Sequence, residues 1–148
     1  MNSSLENDLC AICYTSSLSE SACVALGCSH VFHAECLDQV LEHRWSTLRI
    51  NFNFLCCPSC RSALTLSTPC EAIQQKIDRM QAMRTKIENL AVKQAEAQGL
   101  MEDERLQRPE DCFYGKPREY AMARCAFYEC NTCKEAFFGG LVDCEREQ

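Results

Sequence analysis

At 148 residues, with 47% apolar and 24% charged side chains, the chain has room for one ordinary domain or two small ones and the composition of a soluble globular protein. Fifteen basic against twenty-one acidic residues give a formal charge of −6, which argues against phosphate-backbone binding as the main task, and no stretch is long and apolar enough to span a bilayer. The opening residues MNSSLENDLC lack the basic cluster and apolar core of a secretory signal, so the fourteen cysteines are expected in a reducing intracellular compartment, cytoplasmic or nuclear, where close-set thiols hold metal instead of forming disulfides.

From Leu9 to about Leu66 most of the cysteines and all three histidines crowd together. Val24 to Leu26 and Val31 to Phe32 are short apolar pieces on either side of a cysteine-histidine knuckle, which suits a small hairpin. Leu37, Val40, Leu41 and Trp45 recur at helical spacing, predicting a helix over Glu35 to Trp45. Arg49 to Phe54 alternates polar and apolar and predicts a half-buried strand. Ser67-Thr68-Pro69 supplies a helix start, and no further proline or glycine follows until Gly99. Ile73, Ile77, Met80, Met83, Ile87, Leu90 and Ala91 form one stripe on this helix of about 45 Å. Lys76 and Gln94 interrupt the heptads, so packing against the chain's own modules is favoured over dimerisation through residues 69–98. MEDERLQRPED then reads as a linker, and Arg118 to Tyr128 as a second helix leading into Cys130.

The strongest signal is an ordered series of four chelating pairs: Cys10 with Cys13, Cys28 with His30, His33 with Cys36, and Cys57 with Cys60. Each pair can supply two corners of a tetrahedron, so eight ligands make two closed zinc sites with no position left for water. The zinc is then structural, and so short a segment depends on it for folding energy. If the first pair shares an ion with the third and the second with the fourth, Val31 and Phe32 are left to enter the core. Cys23 and Cys56 read as buried apolar cysteines, Cys70 as structural, and His43 as a surface residue.

The ligand order and the CAIC, CSHVFHAEC and CPSC strings resemble the RING-H2 family. The resemblance implies a cross-brace in which Cys10, Cys13, His33 and Cys36 hold one zinc and Cys28, His30, Cys57 and Cys60 the other. It also implies an E3 ubiquitin ligase, whose partners are a ubiquitin-conjugating enzyme, ubiquitin and a protein substrate. Ile12 and Pro58 match the family's contacts to the conjugating enzyme. Val40 stands where many members carry tryptophan, with Trp45 further along the helix. Arg61 stands where many carry an arginine that positions the thioester. VLEHRW, LRINFNFLCCPSC and EYAMARCAFYECNTCKEAFFGGLVDC further resemble the RING-Cys-relay ligases of the Pam/Highwire class. By that likeness residues 9–66 are a RING finger, 67–99 a helical linker, 100–117 a loop and 118–148 the start of a tandem-cysteine zinc domain. Cys130, Cys133 and Cys144 would be the first ligands of an unfinished third zinc site, with Cys125 or Cys112 as makeshift partners. No relay cysteine has a counterpart, so ubiquitin is expected to pass directly from the conjugating enzyme. The expected fold is a small zinc-stabilised α+β protein, and the rival reading is a non-catalytic zinc-binding interaction scaffold.

Overall fold

The two apolar pieces beside the cysteine-histidine knuckle pair as an antiparallel hairpin, β1 (Cys23–Ala25) with β2 (Val31–His33), in the register Cys23 to His33, Val24 to Phe32 and Ala25 to Val31. The alternation of a strand turns Val24 and Phe32 inward, where both are buried. The computed structural model describes residues 8–45 and 47–143, and these divide into two units: 8–45 with Asn51–Gln81, and Thr47–Ile50 with 82–143.

In the first unit, β2 runs straight into α1 (Ala34–His43), which buries Leu37 and Leu41 and ends at Arg44 in a left-handed conformation, φ 50°. Thr68 does not cap the long helix as its position suggests. Its hydroxyl accepts the Ala25 N–H at 2.9 Å, while the Ser67 and Thr68 N–H groups donate to the Ala25 carbonyl. These bonds latch the chain onto β1, so α2 starts later, at Glu71, and runs to Ala97. Its first three turns bury Ile73, Ile77 and Met80 in a core that also holds Leu18, Val24, Leu26, Phe32, Leu55 and Leu64. On the polar side Lys76 pairs with Asp38 at 2.7 Å and Glu42 at 2.5 Å, both on α1. The strand expected over Arg49 to Phe54 does not form. Asn51 turns the chain instead, its side chain accepting the Asn53 N–H, and Leu55 N–H closes a second turn on the Phe52 carbonyl.

In the second unit α2 contributes buried Ile87, Ala91 and Ala95. The second helix is shorter than its pattern suggests: α3 covers Pro117–Arg124, with proline in the first turn, and Cys125–Glu129 is strand β3. The run CAFYE contains two aromatics that pair across the sheet with β4 (Ala136–Leu141), Phe127 opposite Phe138 and Tyr128 opposite Phe137. Tertiary pairing of this kind overrides a weak helical pattern. The segment expected to be a plain linker is two 3₁₀ turns, Leu100–Glu102 and Glu104–Leu106, tied to α3 by side chains. Tyr120, fully buried, donates its hydroxyl proton to Asp103 at 2.6 Å, and Arg124 donates to that same hydroxyl at 2.8 Å.

Candidate metal centres

Each Cys-x-x-Cys loop owes its shape to one backbone device. The residue after the second cysteine takes positive φ, and its N–H returns to the first cysteine's carbonyl. Tyr14 (φ 55°) donates to Cys10 at 2.8 Å, Arg61 (φ 62°) to Cys57 at 2.8 Å, and Lys134 (φ 64°) to Cys130 at 2.9 Å. The first cysteine's N–H then closes the loop further on, Cys57 to the Ser62 carbonyl and Cys130 to the Glu135 carbonyl, both at 2.9 Å. Both side chains of the pair thereby leave the loop on one side, which a chelate requires.

Two such loops meet histidines. Cys10, Cys13, His33 and Cys36 form one cluster and Cys28, His30, Cys57 and Cys60 another, with ligand atoms within 4.8 Å of one another in each. Tetrahedral coordination at Zn–S of about 2.3 Å and Zn–N of about 2.0 Å places sulfur and nitrogen about 3.5 Å apart. The His33 Nδ1 lies 3.7 Å from both the Cys13 and Cys36 sulfurs, and the His30 Nδ1 lies 3.3 Å from Cys28 and 3.5 Å from Cys57. The residues therefore fit a zinc ion in each cluster, and the thirteen described cysteines are all free thiols. His33 Nε2 lies 2.8 Å from the Ser17 carbonyl. With the proton held on Nε2 by that carbonyl, the Nδ1 lone pair points into the cluster, the usual outer-shell orientation of a metal-bound histidine.

Local fields prepare the thiols unequally. Backbone N–H groups of Thr15 and Ser16 pull the Cys13 thiol down to about 5, and the backbone at His30 with the Ser62 hydroxyl pulls Cys28 down to about 6. Burial, followed by the neighbouring Cys10 and Cys13 sulfurs, pushes Cys36 up to about 12. A thiol ligates metal as the thiolate, so a metal bound at this cluster would displace the Cys36 proton to solvent and its uptake would depend on pH.

The third Cys-x-x-Cys loop has no such company. Among the described residues only the two clusters above bring three or more ligating side chains together. Cys130 and Cys133 sit in the turn between β3 and β4, Cys112 is exposed elsewhere, and Cys125 is buried with its thiol directed at the Ala91 carbonyl. Neither Cys112 nor Cys125 joins the pair, and Cys144 lies outside the described residues. Cys23 and Cys56 also stand apart, their thiols directed at the Leu18 and Asn53 carbonyls.

Residues 8–61 match the family described as Ring finger domain. This segment is a RING finger. Nearly the whole chain, 95% of it, aligns with two large ligases of the Pam/Highwire kind. It is 35% identical over 141 residues to the zebrafish (Danio rerio) E3 ubiquitin-protein ligase MYCBP2 and 32% identical over 147 residues to the Drosophila melanogaster E3 ubiquitin-protein ligase highwire. The chain spans only 3% and 2% of those relatives' own lengths. The chain is a small α+β protein that contains a RING finger and is similar over 95% of its length to these two ligases.

On the RING finger, Ile12 stands half-buried between Cys10 and Cys13, and Pro58 and Arg61 are exposed in and just after the Cys57–Cys60 loop. Val40 is half-buried on α1. Trp45 is half-buried and meets Phe52 edge-on at 6.2 Å, with the Arg44 guanidinium 5.6 Å from its ring. Leu9 and Tyr14 flank the first loop at 53% and 69% exposure, and no periodicity in the sequence distinguishes such residues from core. The Ser17 carbonyl is likewise invisible in sequence, because it acts through the backbone.

Proposed function

We propose that this chain is the RING portion of an E3 ubiquitin ligase, holding two structural zinc ions and promoting direct transfer of ubiquitin from a conjugating enzyme to a substrate lysine. The observation that carries the reading is the interleaving of the two clusters, first chelate pair with third and second with fourth, in a chain similar over 95% of its length to ligases. Zinc supplies structural closure here and takes no part in bond making.

Ile12 and Pro58 stand in the two loops that the clusters would fix, Val40 on α1 and Trp45 just after it, and these four are the residues that would contact the conjugating enzyme. Arg61 follows the last ligand with its backbone locked at φ 62°, so the guanidinium leaves from a defined point. Its planar array of donors suits carbonyl groups of the enzyme and of ubiquitin at once, which holds the thioester for attack. The lysine amine attacks the thioester carbonyl, an isopeptide bond forms, the amine proton is lost, and the conjugating enzyme's thiolate leaves. No residue of this chain carries ubiquitin. Cys130 and Cys133, shaped like the loops of the RING clusters, would begin a third zinc site with Cys144.

Discharge of a ubiquitin-loaded conjugating enzyme onto free lysine tests the proposal. Arg61→Ala should slow discharge without changing metal content or enzyme binding, whereas Ile12→Ala should weaken binding itself. A wild-type chain that binds the loaded enzyme yet never accelerates discharge would be a scaffold instead.

A further inference from the structure

The two clusters of the RING finger differ in what stands behind their ligands. In the first, Cys10 and His33 are buried, and the Ser17 carbonyl holds the His33 ring from outside. In the second, Cys57 is buried but His30 and Cys60 are exposed. Cys60 is the one exposed thiol among the six cysteines of the two clusters. A ligand in that position is the corner of the site where water or a competing donor has access, and loss of an ion begins with the release of one corner.

Ser62 meets that sulfur. Its Oγ lies 2.9 Å from the Cys60 Sγ, and the same hydroxyl reaches the Cys28 sulfur across the cluster. The Ser62 carbonyl accepts the Cys57 N–H at 2.9 Å, which fixes the backbone from which the hydroxyl departs. A metal-bound thiolate has no proton to give, so the hydroxyl is the donor. We propose that Ser62 is a positioning residue of the second metal centre, its hydroxyl holding the Cys60 sulfur in the ligand position and slowing loss of the ion through this exposed corner. A donor bond draws some charge from the sulfur and to that extent weakens its grip. Three thiolates and a neutral histidine around a dication carry surplus negative charge, however, and relieving it while fixing the sulfur's direction is the larger effect.

This inference rests on zinc occupying both clusters, so the metal content of the wild-type chain is measured first; fewer than two ions per chain would defeat that reading and this one with it. Ser62→Ala keeps the backbone carbonyl and N–H and removes only the hydroxyl. In the full zinc-loaded chain it should leave the circular dichroism unchanged, yet zinc transfer to a pyridylazo-resorcinol indicator should run about tenfold faster. That is the low end for an outer-shell partner, because water can stand in for a hydroxyl at an exposed corner. Ser62→Thr should restore the slow rate. With cadmium in place of zinc, the cadmium NMR resonance of one centre should shift in Ser62→Ala and the other should stay. An unchanged release rate would overturn the proposal, as would equal movement of both cadmium resonances or a Ser62→Thr chain as fast as Ser62→Ala.

Discussion

His33 shows how much one side chain can settle. Its Nε2 is occupied by the Ser17 carbonyl at 2.8 Å, so only Nδ1 is available to face Cys13 and Cys36. The eight candidate ligands were legible because chelation imposes spacing, and spacing is what a sequence displays. The carbonyl that orients His33 was not, since any residue at position 17 carries one. Cys13→Ala should unfold the RING finger and with it lower zinc below two ions per chain, measured by circular dichroism and elemental analysis; two retained ions with the fold intact would contradict the ligand assignment. Asp103 makes a second prediction. The Tyr120 hydroxyl, then the Arg105 N–H and the nearby guanidinium groups, hold its carboxyl below the usual range. A carboxyl depressed in the folded state stabilises fully above its unfolded pKa and loses that contribution as pH falls through the folded value. Wild-type protein should thus lose stability in the second unit below about pH 4, while Asp103→Asn should start lower and lack this component of the acid loss. Thermal melts across pH 3 to 7, on the order of one unit apart, would show it; parallel curves would refute it.

Along α2 the apolar stripe was readable in outline, and burial sorts its members. Ile73, Ile77, Met80, Ile87 and Ala91 are buried, whereas Leu90 remains 37% exposed. Ile77→Ala should therefore cost about 2–5 kcal/mol, and Leu90→Ala a good deal less, in denaturant titrations of zinc-loaded protein. Similar losses at both positions would mean that Leu90 is covered in solution. Where elements were misjudged, a distant partner decided the outcome. Thr68 bonds to β1, forty-three residues earlier, in place of capping α2. Cys125–Glu129 leaves the helix because Phe137 and Phe138 await its aromatics. Gly139 lies so close to the Tyr128 ring that a Cβ there would collide with it. Gly139→Val should displace Tyr128 and loosen the hairpin, seen as faster exchange across Glu129 to Leu141; an unaltered pattern would mean that the ring moves aside freely.

At the scale of the whole molecule, the RING finger could be read in advance because metal ligation fixes its geometry locally, through residues spaced two or three apart. The second unit could not, because it is assembled from Thr47–Ile50, the far half of α2, α3 and a hairpin, whose meeting leaves no periodic trace. Metal removal separates the two kinds of stability: excess chelator should unfold the RING finger cooperatively, because its small core cannot fold without its ions. The measurement that bears most directly on function is single-turnover discharge of a ubiquitin-loaded conjugating enzyme, resolved on nonreducing and reducing gels. Direct transfer predicts that ubiquitin moves to lysine, that Arg61→Ala slows the movement, and that no ubiquitin adduct of this chain appears. A reducible ubiquitin adduct that vanishes with substitution of Cys112, Cys125 or Cys144 would contradict it and establish a covalent route.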